Sequence, residues 1–162
     1  MYVTFEVWNE KSWFPAGPDK LETREMKDYK PEYGGFAFTE AGNIFISKGT
    51  PWKKAMYWHE KGHCLLFEAG KGGISNHTFG EEVDADSIAD LMAGTYQTLG
   101  MLLYRLARTS SANVKGLQQR IEIVMDRHKE KAIPILKKLF DMYYSMRFDD
   151  LKRKYLNQGG LL

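Results

Sequence analysis

From Trp52 to Phe67 the apolar and polar positions recur with a helical period. Trp52, Ala55, Met56, His59, His63, Leu66 and Phe67 fall on one face at about 100° per residue, and the spacing predicts an amphipathic helix. Pro51 suits a first helical turn with Thr50 before it as N-cap, while Gly70, Gly72 and Gly73 supply the stop. A second helix opens at Glu81 and Glu82, acidic residues that suit the positive end of a helix dipole. On it Glu82, Ala85, Asp86, Ala89 and Ala93 share a face whose small side chains let the two helices approach closely.

After Gly94 the chain reads as helical to its end. Tyr96, Leu99, Leu102, Leu103 and Leu106 form one apolar stripe. Val114, Leu117, Ile121, Val124 and Met125 form a second, and Ile133, Leu136, Phe140, Tyr143 and Tyr144 a third. Thr109, Ser110 and Ser111 mark a break with Ser111 as a candidate cap, and Pro134 falls in the first turn of a last long helix.

The first fifty residues differ in pattern. Tyr2 to Trp8 has strand character, and residues 9–33 read as loops with one short helix at Leu21 to Tyr29. Gly34 to Phe38 and Asn43 to Ser47 flank turn residues and predict a β-hairpin. Its second strand, placed at a sheet edge, would offer free N–H and C=O groups to an extended peptide; an ordinary hairpin needs no such ligand. The expected architecture is a single α+β domain over 1–162, a small antiparallel sheet packed on the histidine-bearing helix, with a helical C-terminal half. Its parts are a sheet region (1–50), two central helices (51–95) and the C-terminal helices (96–162).

Composition is that of an ordinary globular domain: 162 residues, 43% hydrophobic and 27% charged. One cysteine, Cys64, excludes an internal disulfide framework and suits a reducing compartment. With no apolar signal pattern near Met1 and no run of membrane-spanning length, the expectation is a cytoplasmic protein without a membrane partner. Charge is uneven. Residues 96–162 hold thirteen Lys or Arg against six acids, whereas residues 1–95 hold ten against fifteen. A basic helical half fits a protein or nucleic-acid partner. The commoner explanation is a solvated face, because Glu122, Asp126, Glu130 and Asp141 interleave with the bases, and His128 reads as part of that face.

The chemistry concentrates in His59-Glu60-Lys61-Gly62-His63, an H-E-x-x-H pattern. Two histidines at i and i+4 share a helical face, so their rings can converge on one zinc ion, with Glu60 placed to act as a general base. A third ligand is needed. Glu82, a carboxylate among alanines, wants a cation, and Asp86 one turn later is placed to orient a ligating imidazole through its far nitrogen. Asp86 could itself be the ligand. Glu81 ranks lower because its i+4 neighbour is Ala85, Glu68 reads as a solvated helix end, and Cys64 as a buried hydrophobe. His77 is open between a fourth ligand, a donor to the oxyanion of a tetrahedral intermediate and an exposed loop histidine.

These residues resemble the gluzincin metallopeptidases, whose pattern is H-E-x-x-H followed by E-x-x-x-D on the next helix; the matching positions are His59, Glu60, His63, Glu82 and Asp86. The run Glu82-Val83-Asp84-Ala85-Asp86-Ser87-Ile88-Ala89 is similar to the E-x-E-A-[ND]-x-F-A segment of ImmA/IrrE-type peptidases, and Gly42 to Ser47 to the strand before their active-site helix. The similarity spans about residues 34 to 95. No third histidine stands at metzincin spacing, where this chain has Ala69. The resemblance implies a zincin-like fold and a zinc peptidase acting on a peptide or protein substrate. Zn2+ would be held by His59, His63 and Glu82, with Glu60 as base and His77, Tyr57 or Tyr96 steadying the oxyanion. The competing expectation is a zinc-binding, catalytically silent or regulatory module whose basic C-terminal helices engage a partner.

Overall fold

The computed structural model describes residues 2–9, 19–27, 35–37 and 42–156. Four strands, β1 (Tyr2–Asn9), β2 (Asp19–Lys27), β3 (Gly35–Ala37) and β4 (Ile44–Ser47), precede six helices. These are α1 (Lys53–Glu68), α2 (Phe79–Ala93), α3 (Thr95–Arg108), α4 (Val114–His128), α5 (Ile133–Met142) and α6 (Asp149–Leu156). The architecture is α+β. Among the described residues no helix is long and apolar enough to cross a membrane.

The strands form one antiparallel sheet in the order β2-β1-β4-β3. Alternation dictates its two faces. Phe5 and Val7 of β1 pack with Phe45 of β4 on one side, whereas Ile44 and Ile46 point into the helical core. β4 is therefore buried on both faces and paired on both sides, to β1 and to β3. The condition on which β4 could pair with an extended peptide, a place at the sheet edge, is therefore not met: its N–H and C=O groups are spent in two ladders, and the edges are β2 and β3.

One correction concerns Leu21 to Tyr29. Residues up to Lys27 lie in strand β2, paired with β1 from Tyr2 opposite Lys27 to Asn9 opposite Asp19; Asp28 and Tyr29 lie outside the described residues. Glu22, Arg24, Glu25 and Lys27 favour a helix locally, but pairing with β1 overrides that weak preference. The hairpin strands β3 and β4 pair as expected over Gly35–Ala37, while Gly34, Phe38 and the turn residues Thr39 to Ala41 fall outside the described set.

Helix α1 is enclosed on nearly every side. Ala55 through His59 are all buried, as are Gly62, His63 and Cys64. Its cap lies two residues later than the sequence suggests: Trp52 is the N-cap at φ 62, and Thr50 instead shares a 2.6 Å hydroxyl hydrogen bond with Ser47. The indole packs on Tyr96 and against Gly100, where a Cβ would lie 2.4 Å from its ring. Gly70, at φ 71, ends the helix as a glycine should. Phe67 is 41% exposed, so the apolar face stops contributing to the core before the helix does.

The first two C-terminal stripes are core, with Leu99, Leu102, Leu103, Leu106, Leu117, Ile121, Val124 and Met125 all buried. The third is shorter than expected. Helix α5 ends at Met142, Tyr143 takes an extended conformation, and Tyr144 projects into solvent before α6 begins.

Candidate metal centre

Two helices carry the site, and their closeness follows from small residues. A Cβ on Gly62 would sit 3.3 Å from Cα of Ala85 and 3.2 Å from Cδ1 of Ile88, so α1 and α2 touch where glycine faces alanine. Start and register of α2 are set by a capping box. Thr78 Oγ1 accepts from the Glu81 N–H at 3.2 Å, and Glu81 Oε2 accepts from the Thr78 N–H at 3.1 Å. The other Glu81 oxygen accepts from Gly73 N–H at 3.2 Å and ties the glycine loop to the helix. Glu81 is thus fully employed as a cap, and Glu82 is the acid turned toward the histidines.

His59 Nε2 and His63 Nε2 lie 3.2 Å apart, with rings at 85° to one another. Glu82 Oε1 is 2.8 Å from His63 Nε2, and Glu82 Oε2 is 3.5 Å from His59 Nε2. Tetrahedral bonds of about 2.0–2.1 Å place ligand atoms about 3.3 Å from one another; the two Nε2 atoms, 3.2 Å apart, meet that spacing, while each Glu82 oxygen approaches a different histidine. His59, His63 and Glu82 form a group that could hold a metal ion. Both imidazoles are nearly inaccessible, at 1% and 3% exposure, so the ring nitrogens that converge here have no bulk water to satisfy them.

Behind the triangle stands Asp86. Its Oδ1 lies 2.9 Å from Nδ1 of His59, a contact bent away from the straight N–H···O line. Nδ1 of His63 is buried with no hydrogen-bond partner, and its ring carries His77 stacked on one face, centroids 3.6 Å apart at 9°. His77 Nδ1 is 3.7 Å from Glu82 Oε1, so this loop histidine sits beside the triangle, outside the group of three.

Two buried arginines, absent from the sequence-based site, complete it. Arg120 of α4 donates through Nε and Nη2 to both oxygens of Asp86, at 2.8 and 2.9 Å, and its Nη1 lies 3.0 Å from Glu82 Oε2. Arg105 of α3 donates to Glu60 Oε1 at 3.0 Å. A signal for both was present. Arg120 stands in the stripe of Leu117, Ile121 and Val124, and Arg105 in that of Leu102 and Leu106; an arginine on an apolar face needs an acid from another element.

Electrostatics follow this wiring. Burial pushes Glu82 and Asp86 up, but hydrogen bonds and charge from His59, His63 and Arg120 outweigh it for Glu82, which falls far below the usual carboxylate range. For Asp86, Arg120 and His59 outweigh burial and bring it down to about 2. Burial and Arg105 lower His59, yet Asp86 and Glu82 prevail and raise it above 6.5. Cys64 is buried and its thiol is pushed up by that burial, as befits a core residue.

Other expected participants lie elsewhere. Tyr57 is buried in the core two residues from His59, where 100° per residue turns it to the far side of α1. Tyr96 packs on Trp52 and donates its hydroxyl to Met142 Sδ. His128 is not a free surface residue: its Nε2 lies 2.6 Å from Asp90 Oδ2, beside Arg127 and Thr95. The basic half also spends charge internally, because Arg105, Arg120 and Arg127 pair with acids of α1 and α2, and Arg147 donates to the carbonyls of Leu106 and Thr109. Glu68 is exposed, as expected.

No protein-family model, curated protein or solved structure matches this chain.

Proposed function

We propose that this chain is a zincin-like, zinc-dependent peptidase related in its site to the gluzincins, with His59, His63 and Glu82 as metal ligands. The observation that carries the reading is the convergence of His59 Nε2 and His63 Nε2, 3.2 Å apart, with the Glu82 carboxylate, whose Oε1 lies 2.8 Å from His63 Nε2 and Oε2 3.5 Å from His59 Nε2. Two imidazoles and one carboxylate suit zinc in a catalytic site, which keeps three protein ligands and an open position. A zinc ion held there by His59, His63 and Glu82 would supply Lewis acidity, lowering the pKa of water so that a base can deprotonate it near neutral pH.

The chain's own groups do the rest. Glu60 takes the proton of the attacking water and hands it to the leaving amine. His77, stacked on His63 at the edge of the triangle, donates to the oxyanion. Asp86 orients His59, and Arg120 holds Asp86 and Glu82 in place. The test is metal content followed by peptide cleavage. The parent protein is expected to carry one zinc per chain; Glu60→Gln keeps it and loses cleavage, and His63→Ala loses both. A Glu60→Gln protein that cuts at the parental rate removes the base from the mechanism.

A second reading is favoured by one observation. Glu60 is engaged by buried Arg105 at 3.0 Å, an arrangement that suits a zinc-binding module that does not turn over. Tight stoichiometric zinc with no cleavage, unchanged in Arg105→Met, would select it.

A further inference from the structure

Where the sheet meets the start of α1 lies a cavity of 320 Å³, at the lower end of the range of about 300–1,000 Å³ common for small-molecule sites. Among the described residues Trp8 of β1 and Lys53, Lys54 and Tyr57 of α1 line it. At about 100° per residue these three helix positions share the side of α1 opposite His59 and His63. The cavity is therefore separate from the metal centre.

Its aromatic walls come from two elements. Alternation along β1 sends Phe5 and Val7 to the outer face of the sheet and Glu6 and Trp8 to the helical side, where Trp8 packs against the main core. The ladder to β2 slips at this residue: Val7 stands opposite Glu22 and Trp8 opposite Lys20, so Leu21 is left over as a bulge, a distortion that re-aims neighbouring side chains. The indole Nε1 of Trp8 is buried and meets no acceptor among the described residues. A buried donor without a partner costs stability unless something supplies one. Tyr57, 1% exposed, gives the second ring and is held edge-on to Trp58 at 5.1 Å between centroids.

Charge is unbalanced at the same place. Lys53 Nζ lies 2.5 Å from Glu6 Oε1, and Lys20 Nζ lies 4.0 Å from Glu6 Oε2, so one carboxylate already answers two ammonium groups. Lys54 is exposed and makes no ion pair among the described residues. Its charge is left over at the solvent side of the cavity. Aromatic walls suit a flat ring, and a spare ammonium group beside an unpartnered N–H suits an anionic acceptor. We propose that this cavity binds a small aromatic carboxylate, its ring against Trp8 and Tyr57 and its carboxylate taking up the Lys54 charge and the Trp8 N–H.

The test titrates the full chain, zinc-loaded and after chelation, with indole-3-acetate and with indole-3-acetamide, which keeps the ring and loses the charge. NMR shifts of backbone amides and indole N–H groups report the binding. The acetate is expected to bind about threefold more tightly than the amide, the scale of an exposed ion pair, with and without zinc, and to move the Trp8 indole N–H and the Tyr57 amide. Lys54→Gln, a surface change, should bring the acetate down to the affinity of the amide and leave the amide at its parental value. Trp8→Phe keeps an aromatic wall but removes the donor, and should weaken the acetate about threefold to tenfold. Equal affinity of the parent for the two probes, or parental acetate affinity in both variants, overturns the proposal. So does acetate binding that needs zinc, because the carboxylate would then sit at the metal centre, and so does an absence of shifts at Trp8 and Tyr57.

Discussion

Asp86 touches His59 and Arg120 at once: its Oδ1 is 2.9 Å from His59 Nδ1, and its two oxygens accept from Arg120 at 2.8 and 2.9 Å. The carboxylate is 2% exposed and Arg120 is 7% exposed, so neither has solvent to fall back on. Asp86→Ala would leave Nε and Nη2 of a buried guanidinium unpaired, with Glu82 still at Nη1, and the expected loss is about 3 kcal/mol of unfolding free energy, read from urea denaturation. Zinc affinity should fall about 10–100-fold, as when the group behind a ligating histidine is removed. Parental affinity in a chelator competition would show that Asp86 serves the fold alone.

Gly62 governs the separation of α1 and α2. A side chain there meets Ala85 and Ile88 at 3.2–3.4 Å, and one of these contacts is backbone. Gly62→Val is expected to force the helices apart and to cost about 1–3 kcal/mol through overpacking, with weaker zinc binding because Glu82 moves away from the histidines. Gly62→Ala adds helix propensity against a smaller clash and should fall between. Thermal midpoints of metal-free protein and chelator competition of loaded protein check both.

Metal uptake should release protons. In the metal-free chain Asp86 and Glu82 hold His59 protonated to a pH above 6.5, against burial and Arg105. A ligating imidazole must be neutral. The proton's contribution to stability is complete below about pH 6.5 and disappears as pH rises through the raised folded value, while zinc affinity climbs over the same interval. Calorimetry at pH 6.5 in buffers of different ionisation enthalpy should register proton release; buffer-independent heats would refute it.

One turn beyond Asp86 on α2, Asp90 joins three helices. It accepts from Thr95 at 2.9 Å and from Arg127 at 2.9 Å, and lies 2.6 Å from His128 Nε2. Burial raises its pKa, but His128, Thr95 and Arg127 outweigh that and lower it. A depressed carboxylate contributes stability above its unfolded value near about pH 4 and forfeits it as pH falls through the folded value. Asp90→Asn should cost about 2 kcal/mol at pH 7 and flatten the acid limb below about pH 4. Parallel stability curves for parent and variant would contradict this.

Helices were legible where periodicity and punctuation agreed. The small-residue face of α2, the glycine stop after α1 and the core stripes of α3 and α4 each rest on side-chain geometry local to one element. Strand β2 was not legible, since its pairing with β1 bridges a stretch of sequence that carries no pattern of its own. Nor was the interior place of β4, because strand order is a property of the assembled sheet. In the site, i and i+4 spacing identified His59 and His63, and the alanine face pointed to Glu82 and Asp86. Arg105 and Arg120 escaped because the basic charge was weighed as surface, whereas the fold turns these two inward against acids of the other half.

Arg120 arrives 34 positions after the aspartate it holds. Both carboxylates that Arg120 holds, Glu82 and Asp86, thus precede it in the chain, and the segment through α3 contains them beside His59 and His63 with no guanidinium from α4 to offset their charge. The final placement of both acids therefore depends on α4 packing against α2, so the candidate site is a property of the assembled helices and not of the two that carry its histidines and carboxylates.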